Sequence, residues 1–159
     1  MANIGNGLPY IPSGFRLDGS VEEGDVMWYG QALNQTVTQG MALKSASGLA
    51  TPMAGAFAST FIGVALFANT TVGTSTQIAV IKPNPNKYFW VPVLSATLVT
   101  VAAVATMVDL FSTTSIGVDI TDTTLASWGF DIVDFDASTL AIAANAAGFV
   151  KGRFLQQPQ

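Results

Sequence analysis

The residues best suited to chemistry in the second half of the chain are five aspartates: Asp119, Asp122, Asp131, Asp134 and Asp136. Paired carboxylates hydrolyse glycosides when they flank a scissile bond, and carboxylates at alternating loop positions bind calcium. A calcium loop also wants a glycine at its sharp turn and a terminal bidentate glutamate. Asp134-Phe135-Asp136 supplies two ligands and no glutamate. The five therefore read first as polar faces and turns of strands, with a weak divalent-ion site as the alternative. A glycosidase pair is as easily drawn in any acid-rich sheet.

The remaining catalytic repertoire is thin. The chain has neither histidine nor cysteine, which removes the usual general base, the thiolate nucleophile and the zinc knuckle. Its serines and threonines have no histidine to activate them, and its few lysines show no serine–lysine spacing. Gly5-Asn6-Gly7 neither follows a strand nor opens a helix, so it is no phosphate loop. The triplets Asn34-Gln35-Thr36 and Asn69-Thr70-Thr71 are chance matches to a glycosylation motif in a threonine-rich chain. Trp28, Tyr29, Phe57, Phe61, Tyr88, Phe89 and Trp90 form a possible sugar or base platform, but aromatic residues on β segments more often anchor cores and interfaces. The expectation is no enzyme, no metal and no cofactor.

Composition turns attention from chemistry to surface. Of 159 residues, 50% are hydrophobic and 10% charged, against roughly 25% charge in an average soluble domain. So little charge leaves apolar area to be hidden in a bilayer or against other subunits. The length suits one domain. With a net charge of −4 and only Arg16, Lys44, Lys82, Lys87, Lys151 and Arg153 as cations, no stripe neutralises phosphates, so nucleic acid is not an expected partner. Met53–Ala68 and Leu94–Phe111 are apolar enough to raise a membrane reading, but serine, threonine and glycine interrupt them. Buried strands or one short core helix explain both better than a span of about 20 apolar residues. The start lacks the basic and apolar regions of a secretory signal, implying synthesis in a cytoplasm.

The elements that must position these residues are mostly β. Residues 1–20, with Gly5, Gly7, Pro9, Pro12, Gly14 and Gly19, read as an extended arm whose Ile11, Phe15 and Leu17 need a partner surface. Strands are predicted at Asp25–Tyr29 and at Thr36–Lys44, the latter followed by a turn over Ser45-Ala46-Ser47-Gly48. Phe57–Phe67 reads as a strand buried on both faces, Asn69–Thr74 as a turn, and Thr76–Ile81 as a strand returning against Phe57–Phe67. Pro83-Asn84-Pro85-Asn86 breaks the chain before a strand at Lys87–Val93. Ser115–Asp122 alternates as a half-exposed strand. Trp128, Phe130 and Ile132 continue that pattern up to a bulge or turn at Asp134-Phe135-Asp136, and Phe149–Leu155 closes the chain. Segments 97–110 and 138–147 fit helix and strand equally. The fold class is all-β: a compact barrel or sandwich over residues 21–155, an N-terminal arm over 1–20, a polar tail over 156–159 and at most two short helices.

Phe57-Ala58-Ser59-Thr60-Phe61-Ile62-Gly63-Val64-Ala65-Leu66, then Thr71-Val72-Gly73-Thr74 and Gln77-Ile78-Ala79-Val80-Ile81, resembles the middle of small capsid decoration (cement) proteins of tailed bacteriophages. Glu23-Gly24-Asp25-Val26 resembles their early strand entry, and Gly148–Phe154 their closing strand. The resemblance covers about half the chain, in pieces, and carries over no functional residue. It implies a homotrimer on the outside of a phage head that staples neighbouring subunits of the major capsid protein. On that expectation the protein resides in the virion, its partners are the major capsid protein and itself, and the arm residues Ile11, Phe15 and Leu17 dock it. Neither nucleic acid nor membrane is a partner. A tail, fibre or cell-surface β module that binds carbohydrate or a receptor is the alternative.

Overall fold

A computed structural model describes residues 14–53, 55–94, 99–110, 116–123, 128–136 and 148–156. The strands are β1 (Arg16–Leu17), β2 (Val26–Gly30), β3 (Thr36–Val37), β4 (Ala42–Ala46), β5 (Leu49–Pro52), β6 (Phe61–Ala65), β7 (Asn69–Thr70), β8 (Gln77–Ile81), β9 (Phe89–Pro92), β10 (Met107–Leu110), β11 (Val118–Asp119), β12 (Trp128–Asp136) and β13 (Phe149–Gln156). Among the described residues the helices are two 3-10 turns, Glu23–Asp25 and Val101–Ala103. The protein is all-β.

A six-stranded antiparallel sheet runs β1-β9-β13-β12-β10-β11, a five-stranded one β2-β8-β6-β4-β5, and β3 pairs β7. Neither large sheet closes into a barrel. Each curls, so that isolated parallel bridges, Gln31 to Ala50 and Val93 to Val118, bring its two sides together at one end.

Both large sheets contribute to one core. Met53, Phe57, Phe61, Val64 and Ile81 meet Phe89, Val91, Val108, Phe130, Ile132 and Phe154 there. A second cluster, Val37, Leu43, Ala50, Ala65, Ile78 and Val80, lies on the other face of the five-stranded sheet. With apolar contacts on both faces, β6 and β8 have no exposed side that selects for alternation, hence their apolar runs. As predicted, β8 returns antiparallel against β6, Val64 opposite Ile81.

Bulges set the phase of two strands. Opposite β4, the register of β6 slips between Phe61 and Gly63, so Phe61 and Val64, three apart, both reach the shared core. At Gly63 φ is +134°, and a Cβ there would overlap the carbonyl oxygen of Ile81 and lie 2.9 Å from Val80 Cγ1. Gly63→Ala is expected to cost at least about 2–3 kcal/mol through backbone strain and overpacking. An unchanged urea midpoint would refute that. In β12 the register shifts between Ile132 and Asp134, moving Phe135 back to the core side and leaving Val133 exposed. The irregularity predicted at Asp134-Phe135-Asp136 therefore lies one residue earlier, and the strand continues through it.

Several boundaries differ from expectation. The strand predicted over Thr36–Lys44 divides into β3 and β4, because Gly40 at φ +84° turns the chain and donates to Ala65 O. The turn predicted at Ser45 begins only at Ser47, and β5 follows as the other arm of that hairpin. Asn69 and Thr70 pair with β3 before the chain turns. Ser115–Asp122 contains only the two-residue β11, and Ser115 lies outside the described residues, as do 138–147. Segment 97–110 carries a 3-10 turn and then β10. No helix among the described residues is long and apolar enough to cross a membrane.

The arm is the main correction. Residues 1–13, Ile11 among them, lie outside the described residues, but Phe15 is 3% exposed and belongs to the shared core. Its ring centroid lies 5.4 Å from that of Phe130 and 5.2 Å from that of Phe154. Leu17 sits in β1 opposite Phe89 and packs against the same core. Phe15 is taken up by the domain itself and offers no docking surface, and Leu17 is half-buried against the same core. The reason is register: Phe15 N–H donates to Gly40 O and Asp18 N–H to Tyr88 O, which ties the segment into the body at both ends.

Candidate functional site

The aspartates are committed one by one. Asp119 Oδ1 accepts from the backbone and hydroxyl of Thr121 at 2.9 and 2.6 Å. Asp131 accepts from Arg153 Nε at 3.1 Å, and Asp134 caps the N–H of Phe135. Asp122 accepts the N–H of Asp109 on its backbone carbonyl, and Asp136 ends β12 opposite Phe149. Among the described residues no three carboxylates converge as metal ligands.

The sequence reading passed over Asp109, the most unusual carboxylate of the chain. It is 1% exposed. Its Oδ1 accepts from the N–H groups of Phe57, at 2.6 Å, and Leu110, at 2.8 Å, joining the loop before β6 to β10. Among the described residues its Oδ2 has no partner. Burial raises its pKa above the usual carboxylate value; the two N–H donors oppose this and the charge of Asp122 adds to it. A raised folded pKa means the native state holds the proton more tightly than the unfolded chain. The stabilisation is complete below the ordinary value of 3.8 and is lost as pH rises toward the folded pKa. Asp109→Asn keeps the Oδ1 acceptor and removes the charge, so near pH 7.5 it should melt at or above the wild-type temperature, an advantage that vanishes toward pH 3.5. Asp109→Ala strands two buried N–H groups and should cost about 1–3 kcal/mol for each. If the asparagine variant melts below the wild type near pH 7.5 but not near pH 3.5, the ionised carboxylate is a net stabiliser.

The aromatic residues separate into core and surface. Phe57, Phe61 and Phe89 are buried in the shared core. Tyr88 and Trp90 are half-buried beside β13, with Lys151 Nζ 5.7 Å from the Tyr88 ring centre and 6.0 Å from that of Trp90. Arg153 lies 5.9 Å from the Tyr88 ring. Both cations are also ion-paired, Lys151 with Asp18 and Arg153 with Asp131. These rings already have cation partners, which suits a rigid, self-satisfied face better than a stacking platform for sugar. Nearby, Asp25 is held below its usual pKa by the N–H of Glu22 and by Lys87 at 3.0 Å.

Buried polar side chains at the end of the five-stranded sheet form a closed network. Gln31, fully buried, donates to Gln35 O at 2.9 Å and accepts from Asn69 Nδ2 at 2.9 Å. Thr71 donates to Ala32 O at 2.6 Å and accepts from Gln35 N–H at 3.1 Å. Satisfied networks of this kind fix loops in place.

The five-stranded sheet and its loops form the surface that stands apart. Lys44 is the only charged residue between Val26 and Ile81. The same stretch exposes Met27, Trp28, Leu33, Phe67 and Val72, with Trp28 61% and Val72 77% accessible. Comparison with family models, curated proteins and solved structures finds no match to this chain. The surface must therefore be interpreted from its own chemistry: a nearly uncharged, partly apolar body beside a sheet that carries interlocked ion pairs. The gap in charge was present in the sequence as a run of positions. That the exposed apolar residues lie within it was not, because β6 and β8 in the same run are buried.

Proposed function

We propose that this chain is a capsid decoration protein: a structural component that binds the outer surface of a phage head as a symmetric oligomer and strengthens contacts between major capsid subunits. The observation that carries this reading is the stretch from Val26 to Ile81, with Lys44 as its one charge and with Trp28, Phe67 and Val72 exposed. A water-facing surface usually mixes both signs of charge. Exposed apolar side chains in a stretch whose polar residues are mainly Asn, Gln, Ser and Thr instead fit a surface meant to be covered. The ion-paired face of β1, β9, β13 and β12 then suits the side turned toward solvent. The carboxylates of Asp119, Asp131 and Asp134, engaged within the fold, suit a protein that works by contact. Binding at many equivalent lattice positions lets a modest contact stabilise a whole shell.

The test is direct. Purified phage heads should carry the chain at a copy number that is a multiple of three, and the isolated protein should run as a trimer at micromolar concentration. Heads without the chain, or a monodisperse monomer, would overturn the reading. Retention on a glycan array would favour the tail, fibre or cell-surface module instead.

A further inference from the structure

Strand β2 forms one edge of the five-stranded sheet. The bonds Lys82 N–H to Asp25 O and Gln31 N–H to Thr76 O show which way its backbone points. In that register Asp25, Met27, Tyr29 and Gln31 bond toward β8, so Val26, Trp28 and Gly30 turn their backbone groups away from the sheet. The N–H of Val26 closes back onto Glu23 O. Trp28 N–H and C=O, with Val26 C=O and Gly30 N–H, remain directed outward until the Gln31–Ala50 bridge brings in β5. Edges of this kind are normally blunted by lysine, proline, a bulge or a covering loop. Val26-Met27-Trp28-Tyr29-Gly30 has no charge, no proline and no register shift, and it exposes Met27 at 43% and Trp28 at 61%.

We propose that this edge is a docking strand, which takes up an extended, uncharged segment of a partner protein as an antiparallel neighbour with a basic residue at the segment's C-terminal end. Charge selects the occupant. The entry to β2 carries the exposed Glu23 and, beside it, Glu22, whose side chain is 76% exposed and shares Lys87, at 3.6 Å, with the Asp25 carboxylate, which holds the same cation closer at 3.0 Å. In an antiparallel pairing the C-terminal end of the incoming segment lies beside those acids. A second β2 cannot supply the cation: antiparallel, it sets Glu22 and Glu23 against the uncharged Gln31–Gln35; parallel, against their own copies. Main-chain bonds give such an addition its affinity, and its flanking charge gives direction. The inference rests on the decoration reading only for the identity of the donor, a capsid subunit.

The experiment uses the 15N-labelled full chain and the peptide acetyl-Thr-Val-Thr-Val-Thr-Lys-Lys-amide. At about 1 mM peptide, the affinity scale of a few hydrogen bonds, the amides of Trp28 and Gly30 should shift more than those of Met27 and Tyr29. A Glu-Glu ending should bind several-fold more weakly, and a central proline should abolish the shifts. Trp28→Pro removes an N–H that makes no bond within the sheet, so this variant should stay folded and lose the response. Absent shifts, shifts confined to other strands, or equal binding of the Glu-Glu peptide would overturn the proposal. A Trp28 shift that grows with protein concentration alone would also overturn it, assigning the edge to a second copy. Peptide shifts in a protein absent from phage heads would leave the docking strand standing and remove the decoration reading.

Discussion

Truncating the chain before Asp18 is expected to lower its unfolding free energy by roughly 3–5 kcal/mol, the usual cost of removing a buried phenylalanine. Phe15 is 3% exposed and packs edge-on to Phe57 and Phe130, while Arg16 and Leu17 pair with Trp90 and Phe89 along β9. Losing the segment opens a cavity between the two sheets and bares the edge of β9. In a domain whose whole stability is about 5–15 kcal/mol, that loss is a large fraction, and part of the population should be unfolded at 37 °C. Urea denaturation of the truncated chain and of Phe15→Ala separates the ring from the strand. A truncated protein that melts within a degree of the full chain would show that the segment adds nothing to the fold and would return it to the role of a docking arm.

Phe154→Ala should be comparably severe. The ring of Phe154 is the hub of the shared core, with the centroid of Phe61 at 4.8 Å, those of Phe15, Phe89 and Phe130 at 5.2 Å, and that of Phe57 at 5.5 Å. These rings come from both large sheets and from the segment before β1, so one side chain couples three parts of the chain. Truncation should cost about 3–5 kcal/mol, which for a domain of this size lowers the melting temperature by roughly 10 °C or more. Near-ultraviolet circular dichroism should weaken with it, since the rings lose fixed neighbours. Phe154→Leu should lose distinctly less. If both variants melt with the wild type, the two sheets are held together elsewhere.

The decoration reading and the docking strand act on a different surface from either variant. Trp28 and the uncharged loops lie on the five-stranded sheet, so a loss of attachment caused by Trp28→Pro in a protein that melts normally would separate contact from stability.

Local pattern made much of this molecule legible. β2, β8, β9 and β13 fall within about two residues of their predicted bounds, because alternation, β-branching and flanking glycine or proline are properties of neighbours along the chain. The low charge and the missing histidine and cysteine equally needed no fold to be read. The tertiary structure alone decided what required knowing which distant residues meet. Phe15 looks like an arm residue among its glycines and prolines, and it becomes core because Gly40, Phe130 and Phe154 come to it from other elements. Asp109 looks like one more strand aspartate until the Phe57 N–H, fifty-two residues away, closes over it and leaves Oδ2 without a partner among the described residues. Trp28 looks no different from Trp90 in sequence. One stands on the last strand of a sheet and the other beside cations, because exposure follows from which strand is last in a sheet, and strand order is set by packing between segments that the local pattern does not connect.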